Sequence, residues 1–338
     1  MELNFSFIIP VYNRPEEVRE LLQSLSQQTY SKPFEIVLVE DGSTDTAQEV
    51  VSCFAETLHI TYLIKSNTGP GDSRNYGMRR AKGNYYIILD SDCILPPDYL
   101  HIVAHYLEHN WVPCYGGPDK AHASFSKIQK AINYAMTSLL TTGGIRGNAA
   151  ALNKFQPRSF NMGMSKTVFE ATQGFGNIHP GEDPDLSFRI WKHGFKTALV
   201  PRAFVYHKRR ITWSSFYKQV KKFGLVRPIL NKWHPGTAKL TYWFPAIFSL
   251  FSIFSLVGLF LGFVYPIMVV GVYFLLIFFH SWFTNRDFIV ALFSVFAVIL
   301  QFTGYGFGYL RAVSMLYFSK RTPEELFPTL FFKSNQES

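Results

Sequence analysis

Residues 240–310 carry only two formal charges, Arg286 and Asp287, and these stand side by side. A helix exposed to water needs a polar face, and an unbroken apolar surface of this length belongs in lipid. Three apolar runs are legible, 243–261, 263–279 and 288 to about 305, with breaks near Gly262 and Pro266 and at the charged pair. A span takes about 20 apolar residues, so the first run qualifies and the others are near the limit. Two to three transmembrane helices are therefore expected in 240–310. Three crossings would put a tail bearing Arg311, Lys320 and Arg321 opposite the preceding domain, against the positive-inside tendency. Two or four crossings, or one re-entrant piece, would keep it on the same side.

The chain before this region has an ordinary soluble composition. Apolar strand-like runs at 5–9, 34–39, 60–64 and 85–89 alternate with helical patterns at 15–28, at 46–54 and through Arg74 and Met78. In the first helix Val18, Leu21, Leu22 and Leu25 share a face, and Pro15 opens it. Repeated βαβ units make a mainly parallel sheet, an α/β fold whose site lies at the carboxyl ends of the strands. At that edge Tyr85-Tyr86-Ile87-Ile88-Leu89 gives way to Asp90-Ser91-Asp92. Two carboxylates one residue apart can hold a hard divalent cation together with substrate phosphates; they also suit a plain turn. Asp41 ends another strand and can accept from the N–H groups of a nucleobase, Tyr12 can stack on the base, and Arg74 can meet a phosphate or bridge to the aspartates. No G-x-G-x-x-G follows the first strand and no G-x-x-x-x-G-K-[ST] loop is present, so a nucleotide is held by other means than in dehydrogenases or P-loop enzymes.

Further on, a helix to His109, a strand at 112–117, an amphipathic helix at 125–140 and a polar loop at 146–157 over the site are expected. A strand at 159–164 and a helix from Lys166 follow. Glu182-Asp183-Pro184-Asp185 then leads into a helix expected over 186–193. The helix dipole accounts for acidic residues there, and a carboxylate facing a bound nucleotide can also be a general base. Composition does not separate Glu182, Asp183 and Asp185.

The net charge of +9 raises nucleic acid as a partner, but no nucleic-acid module is present. Between Arg202 and Lys232 basic residues interleave with Trp213, Phe216, Tyr217 and Phe223. Directly before an apolar region that pattern fits an interfacial segment over anionic lipid. Cys53, Cys93 and Cys114 lack paired spacing, which fits a reducing compartment, and the N-terminus shows no basic-then-apolar signal peptide. The expected organisation is a catalytic domain over 1–200, a basic and aromatic interfacial segment over 201–239, the membrane helices over 240–310 and a tail over 311–338. In the tail Leu326, Phe327, Leu330, Phe331 and Phe332 could lie on the bilayer interface.

Taken in order, Phe7-Ile8-Ile9-Pro10-Val11-Tyr12-Asn13-Arg14, Val39-Glu40-Asp41-Gly42-Ser43-Thr44-Asp45, Asn67 to Gly77, Leu89-Asp90-Ser91-Asp92 and Gly181-Glu182-Asp183-Pro184-Asp185-Leu186 resemble the family 2 inverting glycosyltransferases of GT-A fold, over about residues 4 to 230. The resemblance implies a nucleotide-sugar donor, UDP-, GDP- or dTDP-linked, with Asp41 reading the base and Pro10 and Tyr12 flanking it. Arg14, Arg74 and Lys222 join the donor contacts. Asp90 and Asp92 would be the DxD pair, Asp92 ligating Mg2+ or Mn2+ and Asp90 holding ribose or sugar, with His207 as a further metal or diphosphate contact. Asp183, with Glu182 beside it, would be the catalytic base.

Processive relatives carry Gln-x-x-Arg-Trp near the bilayer. Here the nearest run is Gln219-Val220-Lys221-Lys222-Phe223, which keeps a cation and a ring but loses the guanidinium fork. Together with only three apolar segments, this implies one transfer per binding event. The expected acceptor is a polyprenyl diphosphate-linked saccharide at the cytoplasmic face of the inner membrane, in cell-surface polysaccharide biosynthesis. The rivals are a polyprenyl-phosphate glycosyltransferase, a GT-A-like nucleotidyltransferase and a non-enzymatic membrane adaptor. Oligomeric state has no signature in the sequence.

Overall fold

A computed structural model describes residues 2–120, 125–142, 155–207 and 212–332. In chain order the elements are β1 (Phe5–Val11), α1 (Pro15–Ser26), β2 (Glu35–Asp41), α2 (Gln48–Ser52), β3 (Ile60–Lys65), α3 (Pro70–Arg80) and β4 (Tyr85–Leu89). Then come β5 (Cys93–Ile94), α4 (Tyr99–His109), β6 (Cys114–Gly116), β7 (Asp119–Lys120), α5 (Lys127–Thr137) and α6 (Leu139–Thr142). They are followed by β8 (Asn161–Ser165), α7 (Lys166–Thr172), α8 (Glu182–Lys192), β9 (Thr197–Leu199) and β10 (Val205–His207). Last are α9 (Trp213–Trp233), α10 (Phe244–Phe260), α11 (Tyr265–Asn285), α12 (Phe288–Phe318) and α13 (Pro323–Leu326).

The chain forms two compact units. One comprises Met1–His122, Ala149–His207 and Phe331–Ser338; the other comprises Ala123–Asn148 and Lys208–Leu330. The first is built on a seven-stranded sheet of order β3-β2-β1-β4-β8-β6-β9. β1 pairs in parallel with β2 and β4, and β2 with β3, as the βαβ pattern predicts. β8 runs antiparallel to both β4 and β6, so the sheet is mixed, GT-A-like, with a parallel centre. A three-stranded sheet, β5-β10-β7, brings His207 opposite Cys93, one residue past Asp92.

Both faces of the large sheet are covered, which is why its central strands read as continuous apolar runs. Phe7, Ile9, Ile36 and Leu38 point to one core with Leu21 and Leu22 of α1, while Ile8, Val37, Val39 and Ile88 point to another with Met78, Leu186 and Ile190. Gly163 on β8 makes room for the Tyr115 ring, which a Cβ there would approach to 1.9 Å. That ring stacks on Tyr85 at 6.1 Å.

In the second unit three helices are long and apolar enough to cross a membrane: Leu240–Phe260, Tyr265–Asn285 and Phe288–Phe318. They fit the membrane region expected from composition. The third does not stop near residue 305. Gly304 and Gly308 instead form a small-residue face of α12 toward α9, while Gly306 on the opposite side meets Pro245 and Ala246 of α10. A Cβ on Gly304 would come within 2.7 Å of Val220, and one on Gly308 within 2.4 Å of the Lys221 carbonyl of α9. Close backbone approach through small residues is how helices associate where no hydrophobic drive separates helix from lipid. The expected helix at 125–140 is interrupted at Ser138, which caps α5, and α6 follows it. Of the polar loop at 146–157, positions 146–154 lie outside the described residues, as do Lys208, Arg209 and Arg210 of the basic run.

Candidate active site

Charged groups gather at the carboxyl ends of β1 to β4, in the loops that follow them and at the start of α8. Asp90 and Asp92 follow β4. The Asp92 carboxylate accepts from Arg14 Nη1 at 2.7 Å and faces His207 Nε2 at 3.1 Å, while Asp90 Oδ2 lies 3.8 Å from the same Nε2. The His207 ring is fixed by stacking on Phe160 at 4.8 Å. Burial alone would push the Asp92 carboxyl up; the His207 and Arg14 charges outweigh it and hold the group well below the usual carboxylate range. A permanently ionised carboxylate beside an imidazole nitrogen and a second carboxylate suits Mn2+ or Mg2+, more readily Mn2+ because of the nitrogen donor. The Cys93 thiol lies close enough to join this group. Burial pushes it well up, however, and it donates to the Phe160 carbonyl, so it is a poor ligand for a hard cation.

Arg74 connects this centre to α8. It is 3% exposed, and its two terminal nitrogens reach Asp90 Oδ1 at 2.7 Å and Glu182 Oε1 at 3.4 Å. His179 Nδ1 donates to the same Glu182 oxygen at 2.9 Å. The three carboxylates of the first turn of α8 thereby separate. Glu182 is committed to Arg74 and His179, and Asp185 is held by Arg189 at 2.7 Å. Asp183 keeps one buried oxygen, Oδ1, with no hydrogen-bond partner among the described residues. Glu182 is lowered to about 2, burial being overcome by His179 and Arg74. Asp183 is raised to about 6, first by burial and then by the neighbouring Glu182 charge. Two adjacent carboxylates driven apart in this way mark a permanent anion and a group able to exchange a proton near neutrality.

Asp41 is 4% exposed, and its carboxylate is well supplied within the unit. Lys65 Nζ donates at 2.8 Å and the Thr68 amide at 3.0 Å to one oxygen, and the Gly69 amide at 2.9 Å to the other. Gly42 (φ 71°) and Gly69 (φ 95°) take left-handed conformations that allow these loops to close on it. Tyr12 is 53% exposed beside this edge, free to offer its ring, and Pro10 lies within β1. Lys222 is on α9 in the other unit.

Four contributors carried no role at the site in the sequence reading. Asn13, itself at φ 52°, accepts from the amides of Thr44 and Asp45 and ties the first loop to the second. Lys65 is the charged end of an otherwise apolar strand. His179 orients Glu182. Phe332 joins the unit from the far end of the chain: Phe331 bridges Ile178, the Phe332 amide donates to the Asn177 carbonyl, and its ring lies 5.9 Å from that of His179. Only the position of Asn13 within the first motif could have pointed to one of them.

The first unit is thus a GT-A-like domain with acidic, metal-compatible chemistry at its strand ends. Residues 6–171 match the model of the glycosyl transferase family 2, and over that segment the chain is homologous to those enzymes. It is 37% identical over 129 residues to an uncharacterized glycosyltransferase of Rickettsia felis, which covers 38% of this chain and 20% of that protein. It is 32% identical over 111 residues to the poly(ribitol-phosphate) beta-N-acetylglucosaminyltransferase TarS of Staphylococcus aureus, covering 32% and 19% respectively. The matched stretch spans about a fifth of the length of these curated relatives. In fold the chain is similar to the mannosyltransferase PcManGT of Pyrobaculum calidifontis, solved with GDP-Man and Mn2+, with TM-score 0.57, 16% identity and coverage of 95% of this chain and 89% of that one.

Proposed function

We propose that the protein is an inverting, metal-dependent glycosyltransferase that moves one sugar from a nucleotide diphosphate to a hydroxyl of a polyprenyl diphosphate-linked saccharide. The observation that carries this is the Arg74 bridge, which ties Asp90 of the acidic pair to Glu182, next to a carboxylate whose buried Oδ1 has no hydrogen-bond partner among the described residues. Asp183 Oδ1 takes the proton of the acceptor hydroxyl as that oxygen attacks the anomeric carbon. The carbon–oxygen bond to the diphosphate breaks on the opposite side, and its electrons leave with the nucleoside diphosphate. Mn2+ or Mg2+, held by Asp92 with Asp90 and His207, would supply charge neutralisation at the departing diphosphate. Arg14 lies against Asp92, where it can add a second positive charge to the diphosphate. Asp41, Pro10 and Tyr12 are assigned to the nucleobase.

The raised Asp183 favours a saccharide hydroxyl over the alternative acceptor, a polyprenyl monophosphate. A phosphate oxyanion attacks without a base, whereas a hydroxyl needs one. The three apolar helices support a multi-pass inner-membrane protein, with the catalytic unit assigned to the cytoplasm. Phe331 and Phe332, after the apolar region, belong to the catalytic unit, which supports an arrangement with both flanks of that region on one side.

The test is calorimetry on detergent-purified protein with each nucleotide sugar, first with Mn2+ and then with EDTA, followed by transfer to lipid-linked acceptors. One donor binding only with metal, with binding lost in Asp92→Ala and turnover alone lost in Asp183→Asn, is the expected result. Donor binding by Asp92→Ala in chelator would sink the metal assignment. A product cleaved by mild acid as a sugar phosphodiester would replace the hydroxyl acceptor by the lipid monophosphate.

A further inference from the structure

Away from this site, α4 carries His101, His105 and His109 at intervals of four residues, one exposed stripe opposite the buried Leu100, Val103, Ala104 and Leu107. Two histidines four apart on one helical face are one turn apart and can reach a common ion. The His105 and His109 rings stack at 4.3 Å between centroids and 28° between planes, while His101 stands farther from His105, at 6.5 Å. A second observation fixes the chemistry of the pair. His109 Nδ1 lies 2.8 Å from the His105 carbonyl oxygen. A carbonyl only accepts, so Nδ1 carries a proton, and in the neutral ring the lone pair is then on Nε2. Donation of the other ring nitrogen to a backbone carbonyl is the usual way a metal-binding histidine is oriented.

We propose that His105 and His109 form a chelate for an imidazole-seeking transition metal ion such as Zn2+, Ni2+ or Cu2+, separate from the carboxylate-based site at Asp90 and Asp92. Two nitrogens bound at about 2.0–2.1 Å to one ion lie roughly 3 Å apart; the stack has to open for both lone pairs to aim at one ion, and the exposure of both rings leaves their side chains room to rotate. The remaining positions on the ion are filled by water. The two sites differ in donor type. Oxygen donors favour Mg2+ and Mn2+, whereas an imidazole pair favours the later first-row metals. Because both rings are exposed, their replacement leaves the core of α4 intact.

The experiment is titration of Ni2+ into the detergent-purified full chain carrying no histidine tag, in saturating Mg2+, with Cu2+ electron paramagnetic resonance as a second readout. The expected result is one saturable Ni2+ per chain, weakened at least tenfold by either His105→Ala or His109→Ala, with unchanged thermal unfolding. The Cu2+ spectrum should show coupling to two nitrogens that the double variant lacks. Equal Ni2+ affinity in wild type and double variant, or affinity that falls only on His207→Ala, would overturn the proposal. So would the absence of saturable binding below millimolar Ni2+.

Discussion

Glu182→Gln should move the acid limb of the pH–rate profile downward. The introduced amide can still accept from Arg74 and His179, but it carries no charge. Asp183 has been displaced from 3.8 to about 6 by burial first and by Glu182 second. That displacement is worth about 3 kcal/mol in favour of the protonated form. Because burial is the larger cause, removing the Glu182 charge returns less than half, about one pH unit or ~1.4 kcal/mol. The inflection in kcat/KM, near pH 6 in the wild type, should then fall to about 5. At pH 5 the wild type would retain roughly a tenth of its plateau and the variant about half of its own. The assay is transfer from the identified donor at saturating Mn2+ between pH 4.5 and 8, each enzyme normalised to its plateau. An inflection that stays at 6, or rises, would refute the electrostatic coupling and with it the choice of Asp183 as base.

The same displacement has a consequence for stability. Below pH 3.8 Asp183 is protonated whether the chain is folded or unfolded, and it costs nothing; the penalty grows between 3.8 and about 6 and is complete above. Asp183→Asn should therefore unfold at a higher temperature than wild type at pH 7.5, by at most about 3 kcal/mol, and show no gain at pH 3.5, while its turnover drops by roughly 10²–10⁴. Arg74→Met should lose about 3–5 kcal/mol, because it leaves Asp90 and Glu182 without their shared cation; chemical denaturation measures this, and a change under 1 kcal/mol would show that solvent already satisfies both carboxylates. Phe332→Ala, half-buried against Gly69 and His179, should cost about 1–2 kcal/mol and raise the KM for donor or acceptor, and unaltered kinetics would make it a structural plug. Gly308→Leu should lower the thermal midpoint in detergent, since α9 leaves no room for a side chain there; wild-type unfolding would contradict the packing of α9 on α12.

The parallel centre of the sheet was legible because strands buried on both faces must be continuously apolar and α1 must show one apolar face. The membrane character of α10–α12 was legible for a related reason, since charge cannot be hidden over seventy residues. The reach of α12 to Phe318 was not, because glycines that pack a helix and glycines that end one are the same letter. Nor was the mixed direction of the sheet, since a strand's neighbour is chosen by long-range packing and not by its own periodicity.

In the site, the residue types and their places at strand ends came from the chain alone: Asp41, Asp90, Asp92 and the acidic turn of α8. The division of labour did not. Glu182, Asp183 and Asp185 are chemically near-equivalent in one dimension. Arg74 and His179 claim the first, Arg189 the third, and the one with a buried oxygen unpartnered among the described residues is the one whose proton affinity rises. Phe332 reaches His179 across about 150 residues of sequence. Local propensity and motif order dictate which groups stand at the edge of the sheet. Burial and ion pairing depend on partners remote in sequence, so only the folded chain decides which carboxylate stays charged and which can take a proton.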